Sequence, residues 1–169
     1  PEKLRFAPEE IDALCAQVEP GERAALELAA TRIRAYHERQ MPEDARWTDD
    51  AGAELGWRWT PVASAGIYVP GGLASYPSSV LMNAIPAKVA GVGRLVVTVP
   101  TPDGAINPLV LLAARIAGVD EIYRVGGAQA IAALAKTKPH LFRAVGGAQC
   151  YGHRRGGAFI LRAGPIGCA

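Results

Sequence analysis

The stretch GVGRLVVTV, residues 91–99, decides the fold class of this sequence. Its glycines end a helix, and the largely apolar run Arg94–Val99 then predicts a strand covered on both faces of a sheet. Residues 117–122, AGVDEI, repeat this helix end and strand start 27 residues later. One helix–strand step of a parallel sheet has about that length, so the sequence predicts successive βα units.

The same patterns extend in both directions from this stretch. Before it, an N-terminal helical segment is predicted, followed by a polar connection at 41–55 that is rich in turn formers. Alternation over 57–62 predicts a half-buried strand whose tryptophans, Trp57 and Trp59, we expect in the core. The remaining predicted elements are strands at 65–69 and 121–125 and helices at about 8–18, 22–40, 77–90, 107–117 and 127–135. For the helix at 77–90, we expect a serine of Pro77-Ser78-Ser79 at the capping position.

Composition excludes several classes of protein. The chain has 169 residues, half of them hydrophobic, and a net charge of +2, which is unlike a disordered protein. The charge is uneven: residues 1–50 carry −5, residues 51–135 carry +1, and residues 136–169 carry +6. The basic balance therefore belongs to the C-terminal segment, and we expect no nucleic-acid partner.

Other classes are excluded by motifs that the sequence lacks. No apolar run is long enough to span a membrane, and the first residues contain no apolar signal core. The cysteines, Cys15, Cys150 and Cys168, are odd in number and scattered, which argues against a disulfide framework or a zinc ribbon. We therefore expect a cytoplasmic protein. The histidines, His37, His140 and His153, show no metal-ligand spacing, and we assign no catalytic or metal-binding residue.

Two glycine-containing loops are the candidate binding sites. Each follows a predicted strand and precedes a helix: YVPGG at 68–72 and VGGAQ at 125–129. Ligands of parallel sheets bind beyond the carboxyl ends of the strands, where free N–H groups of a helix favour an anion. Tyr68 lies at the first loop, and Gln129 falls in the first turn of the helix after the second. Neither loop is a GxGxxG fingerprint, and from spacing alone each is as compatible with a tight βα turn as with a ligand cradle.

Residues 48–135 closely resemble histidinol dehydrogenase. The resemblance rests on long segments: LGWRWTP (55–61), GIYVPGG (66–72), YPSSVLMN (76–83), IPAKVAGV (85–92) and VGGAQAIAALA (125–135). Residues 1–47 match more loosely. The resemblance implies an α/β fold, here a partial Rossmann-like parallel sheet preceded by an N-terminal helical segment.

The family's activity and site residues follow from the same resemblance. It implies a zinc-dependent, NAD-linked homodimer that oxidises L-histidinol to L-histidine in histidine biosynthesis, through two hydride transfers. The family's NAD-contacting tyrosine and glutamine match Tyr68 and Gln129. We therefore expect NAD as cofactor, bound without a GxGxxG fingerprint.

The family pattern stops at about Ala135. The family's Gly-Pro-Gly-Asn motif is expected soon after residue 140, but the sequence there is VGGAQC (145–150). The zinc ligands and the Glu-His proton-transfer pair also have no counterpart. We hypothesise that residues 136–169 are an aberrant basic tail read out of frame, the alternative being true divergence.

We therefore divide the chain into an N-terminal helical segment (1–47), a partial NAD-binding domain (48–135) and the tail (136–169). We expect a fragment of a histidinol dehydrogenase that is inactive alone. Two alternatives remain open: a non-catalytic remnant that binds NAD or another nucleotide, and a family member that acts on another small alcohol.

Overall fold

The computed structural model describes residues 4–70, 76–136, 144–147 and 161–165. Strands β5, β4, β3 and β6 form one sheet in that order, and every neighbouring pair is parallel. This sheet and its helices confirm the predicted α/β class. In chain order the elements are α1 (Pro8–Cys15), α2 (Pro20–Glu38), β1 (Ala45–Thr48), β2 (Glu54–Pro61), β3 (Ser64–Tyr68), α3 (Pro77–Val89), β4 (Arg94–Thr98), α4 (Pro108–Ala117), β5 (Glu121–Tyr123), α5 (Gly127–Lys136), β6 (Ala144–Gly147) and β7 (Leu161–Pro165).

The parallel sheet has two faces of different composition, because successive side chains of a strand point to opposite sides. The core face packs against α3 and α4 and consists of Ala65, Ile67, Leu95, Val97 and Ile122. The opposite face, here called the α5 face, lies towards α5. A Cβ atom added to Gly66 would lie only 3.0 Å from the Leu134 side chain, so this glycine allows α5 to approach β3. The register places Gly66, Tyr68, Val96, Thr98, Glu121 and Tyr123 together on the α5 face.

Local sequence signals account for the limits of the helices. Proline stands in the first turn of α1 to α4, where it needs no hydrogen-bonding partner and its φ is already helical. Asn107 caps α4 by accepting a hydrogen bond from Leu109 N at 2.9 Å, and Gly118 ends it at φ +79°. The expected serine cap of α3 is wrong. Tyr76 occupies the cap position without a side-chain cap, and Ser78 and Ser79 fall inside the first turn.

The N-terminal helices pack on the helical layer of the core. Helix α1 contacts α4, and α2 crosses both α3 and α4. Each buries only a narrow strip, which includes Cys15 and Ala30, and most of α2 faces solvent. The residues before α1 reach the sheet itself, because Phe6 N donates to Ile122 O at 3.0 Å. The N-terminal segment is therefore tied to β5 as well as to the helices.

A second sheet, which is antiparallel, contains β1, β2 and β7 in that order. The prediction of a connection throughout 41–55 is wrong, because Ala45–Thr48 pairs with β2 and is extended by that tertiary contact. The expected core position of Trp57 is also wrong. Trp47 and Trp57 are each 44% exposed and pack edge to face on one another, 5.2 Å apart, while Trp59 is half-buried. Each ring thus shields part of the other from water.

Two short strands lie in the segment predicted to be an aberrant tail. Strand β6 pairs with β3, and β7 pairs with β2. The rest of residues 137–169 lies outside the described residues, so the frameshift hypothesis stays a prediction. Over the part of the chain that the structure describes, no helix is long and apolar enough to cross a membrane.

Candidate functional site

The carboxyl edge of the parallel sheet brings three strand ends together. Tyr68, Thr98 and Tyr123 lie in one row, in which Tyr68 pairs with Thr98 and Thr98 pairs with Tyr123. All three side chains are therefore on the α5 face. Open parallel sheets bind ligands beyond this edge, so the row marks the position at which a site is expected.

Tyr68 joins the two candidate loops. Its hydroxyl oxygen accepts a hydrogen bond from Gly127 N at 3.4 Å, across 59 residues of sequence. Tyr68 itself is only partly buried. The first residue of the first loop therefore contacts the second loop, and Gly71 and Gly72 lie outside the described residues.

The turn between β5 and α5 is closely packed around its two glycines. A Cβ atom on Gly126 would come within 2.6 Å of two ring atoms of Pro100, so only glycine allows the turn to cross the end of β4. Gly127 has φ +73°, a conformation that L side chains rarely adopt. A Cβ atom at Gly127 would also lie 2.6 Å from Gln129 Oε1. The exposed side chain of Gln129 thus folds back over Gly127.

The first turn of α5 suits an anion. Helix N-termini carry N–H groups without intrahelical partners and a partial positive charge. No acidic residue lies in this first turn, so no carboxylate of the helix competes for those groups. A phosphate or a carboxylate is the class of ligand that these N–H groups favour.

A polar network lies on the same face of the sheet, further from the edge. Glu121 accepts hydrogen bonds from Arg94 Nε and from the Tyr123 hydroxyl, both at 2.7 Å. The bond from Arg94 holds the pKa of Glu121 below its ordinary value. The bond to Glu121 raises the pKa of Tyr123. Because its hydroxyl is directed to Glu121, Tyr123 presents its ring rather than its oxygen to the edge.

The remaining candidates for chemistry do not converge. Among the described residues, no three His, Cys, Asp or Glu side chains are grouped as a metal site would require. Cys15 is buried against α4, and desolvation raises the pKa of its thiol. His140, His153, Cys150 and Cys168 lie outside the described residues.

Sequence reasoning missed two residues of this edge, Thr98 and Pro100. Thr98 is 3% exposed, and its hydroxyl has no hydrogen-bonding partner among the described residues. The available signal was a single hydroxyl in the otherwise apolar run LVVTV. Pro100 could not be identified in that way, because its role depends on the crossing of Gly126.

Comparison with known proteins identifies the family. The family model for histidinol dehydrogenase matches residues 1–144. The chain is 76% identical over 135 residues to a histidinol dehydrogenase of Ruegeria pomeroyi, and 68% identical over 134 residues to one of Rhodospirillum rubrum. These matches cover 80% and 79% of this chain, and 31% of each relative.

A solved structure agrees with this assignment. The histidinol dehydrogenase of Elizabethkingia anophelis superposes with a TM-score of 0.76 at 33% identity, covering 82% of this chain and 32% of that one. The chain thus spans about a third of the length of the proteins it matches. On the family model, the curated relatives and the shared fold together, this chain belongs to the histidinol dehydrogenase family.

Proposed function

We propose that this chain forms part of the NAD site of an enzyme that oxidises L-histidinol to L-histidine. The observation that carries the proposal is the hydrogen bond between Gly127 N and the Tyr68 hydroxyl, which joins the two glycine loops at the carboxyl edge. Gln129 lies against the same turn. Tyr68 and Gln129 are also the two positions that match the family's NAD-contacting residues, so geometry and resemblance favour the same place.

The described residues fit a dinucleotide at this edge. Gly126 and Gly127 allow the turn that leads into α5, because a side chain at either position would overlap Pro100 or Gln129. The first turn of α5 presents N–H groups to the phosphates, Gln129 offers a donor and an acceptor, and Tyr68 offers a hydroxyl and a ring face. When bound, NAD supplies the hydride acceptor. The residues of this chain bind and orient it.

The described residues do not fit the family's zinc ion, because no cluster of suitable side chains is present among them. The sequence also contains no counterpart of the family's Gln-Ala-Glu-His run or of its proton-transfer pair. We expect the 169-residue chain to form no NADH from NAD and L-histidinol, measured by absorbance. Histidinol-dependent NADH formation would contradict this expectation.

Calorimetric titration with NAD tests the binding site. We expect the chain to bind NAD, and Tyr68→Phe or Gln129→Ala to weaken binding about two- to tenfold, the size of one net hydrogen bond. Matched controls are Tyr36→Phe and Gln17→Ala, which alter exposed side chains of the N-terminal segment. Equal effects of the control variants would refute a specific role for this edge.

Other properties of the whole enzyme are proposed on the resemblance and on the charge and cysteine patterns of the sequence. We propose a homodimer in the cytoplasm, a small-molecule substrate and no nucleic-acid partner. Light scattering of the purified chain tests the dimer, and a monomer at all accessible concentrations would contradict it for this chain. NAD binding without NADH formation is expected both for an inactive fragment of the enzyme and for a non-catalytic remnant that binds NAD. The titration and the NADH assay therefore test both of these possibilities at once.

A further inference from the structure

Thr98 carries a buried hydroxyl with no assigned role. The residue is 3% exposed, and Thr98 Oγ1 has no hydrogen-bonding partner among the described residues. Its backbone carbonyl, in contrast, accepts a hydrogen bond from Val69 N at 2.9 Å. Burying an unpaired hydroxyl is unfavourable, whereas valine has the same shape without that cost. We therefore expect the Thr98 hydroxyl to have a hydrogen-bonding partner in the functional state of the protein.

The position of Thr98 indicates where that partner lies. Thr98 is next to Tyr68 in the edge row and shares its face of the sheet. Pro100, two residues further along, contacts the turn at Gly126, so this turn crosses the end of β4 close to Thr98. The hydroxyl thus lies in the last layer of the sheet before the first turn of α5. The unpaired hydroxyl and the N-terminus of α5 therefore lie on the same face and at the same edge of the sheet.

We propose that Thr98 donates a hydrogen bond to the diphosphate of the bound dinucleotide. A phosphate oxygen accepts hydrogen bonds only, so it suits a hydroxyl donor and the N–H groups of α5 together. The proposal rests on the NAD site proposed above and adds a specificity residue to it. It assigns Thr98 to the diphosphate and not to the nicotinamide end of the cofactor.

Titration of the full chain with NAD, ADP and AMP tests this assignment. NAD and ADP share the diphosphate, which AMP lacks. We expect Thr98→Val to weaken NAD and ADP binding about tenfold, which corresponds to about 1.4 kcal/mol, and to leave AMP binding unchanged. Thr98→Ser keeps the hydroxyl and should bind all three nucleotides as the unaltered chain does. If Thr98→Val does not fold, Thr98→Ala replaces it with the same expectation.

Ser64→Ala is the matched control. Ser64 is also 3% exposed, its Oγ also has no partner among the described residues, and it lies on the same face of the sheet. It stands at the opposite end of β3, four residues from Tyr68. We expect Ser64→Ala and Thr98→Val each to raise the melting temperature by about 2–4 °C, because each removes an unpaired hydroxyl. Only Thr98→Val should weaken nucleotide binding.

The other outcomes overturn the assignment. Unchanged NAD binding by Thr98→Val would show that the hydroxyl does not touch the ligand. A loss for NAD but not for ADP would move the contact to the nicotinamide end, and equal losses for all three nucleotides would indicate a general disturbance of the site. If the unaltered chain binds none of them, the proposed NAD site fails and this inference fails with it. If the unaltered chain binds NAD and Thr98→Val binds it equally well, the role of Thr98 is refuted and the proposed NAD site stands.

Discussion

The two faces of the parallel sheet are built by the same strands but differ in polarity and in the helices that cover them. The core face is apolar throughout and is covered by α3 and α4, which bury Leu81 and Leu111 completely. The α5 face holds every polar strand residue of β4 and β5, namely Arg94, Thr98, Glu121 and Tyr123, together with Tyr68 of β3. Neighbours in sequence such as Val97 and Thr98 therefore lie in different environments.

This difference separates stability from binding. On the core face, the apolar contacts hold the βα units together, and no polar group requires a ligand. On the α5 face, hydroxyls, charges and a helix N-terminus lie around Gly66 and the turn at Gly126. Substitutions on the core face should change the free energy of unfolding most, whereas substitutions at the edge of the α5 face should change binding.

The largest effect is expected from Leu111→Ala. Leu111 is fully buried in α4 against the core face, and removal of such a side chain typically costs about 3 kcal/mol of unfolding free energy. The measurement is urea unfolding. The control is Ile131→Ala on α5, which is 42% exposed and should cost under about 1 kcal/mol. Similar losses for both variants would remove the energetic distinction between the faces.

The core face was the more predictable part of this fold. The apolar run at 94–99 and its repeat at 117–122 predicted buried parallel strands, because burial on both faces requires such runs. Strand β1 was not predictable in this way. Two of its four residues, Arg46 and Thr48, are polar and three of the four are exposed, so they become extended only by pairing with β2. Local propensity does not report pairing of this kind.

Gly126→Ala should destabilise the fold less than Leu111→Ala does and should weaken NAD binding more. The new Cβ atom would lie 2.6 Å from Pro100, and the turn must shift to relieve this overlap, at about 1–3 kcal/mol. The shift moves the first turn of α5 away from Tyr68, so we expect NAD binding to be lost or reduced more than tenfold. Unfolding and calorimetric titration measure the two effects.

Gly21→Ala provides the control for the loss of a glycine as such. Nothing lies within 4 Å of a Cβ atom at Gly21, which stands in the first turn of α2. Alanine there should be neutral or stabilising by up to about 1 kcal/mol, and NAD binding should not change. A Gly126→Ala variant that behaves in the same way would show that the turn at Pro100 has no special role.

The candidate site was predictable only in part. The loops at 68–72 and 125–129, with Tyr68 and Gln129, were recognisable because each loop follows a strand and precedes a helix, and the resemblance added an NAD-contacting role for both residues. The contact between Tyr68 and Gly127 spans 59 residues and depends on where α5 begins, which the sequence does not specify to within one residue. Whether the Thr98 hydroxyl has a hydrogen-bonding partner likewise depends on tertiary packing, which the local sequence does not specify.

The smallest effect concerns the pH dependence of stability on the α5 face. Arg94 lowers the pKa of Glu121 through their hydrogen bond, so the folded state favours the carboxylate. This contribution is present above the ordinary value of 4.5 and is lost as pH falls through the lower pKa of the folded state. Because the Arg94 side chain is 36% exposed, solvent screening limits the contribution to about 0.5–1 kcal/mol.

The free energy of unfolding, measured at a series of pH values from 7 down to below the folded pKa of Glu121, reports this contribution. Glu121→Gln should be less stable than the unaltered chain at pH 7, and the two profiles should converge as pH falls below the folded pKa, because the carboxylate that makes the difference is then protonated. Leu111→Ala changes only the core face and should run parallel to the unaltered chain at every pH. A constant gap for Glu121→Gln would show that packing, and not the charge on the α5 face, sets its contribution. The two faces would then differ in composition but not in their response to pH.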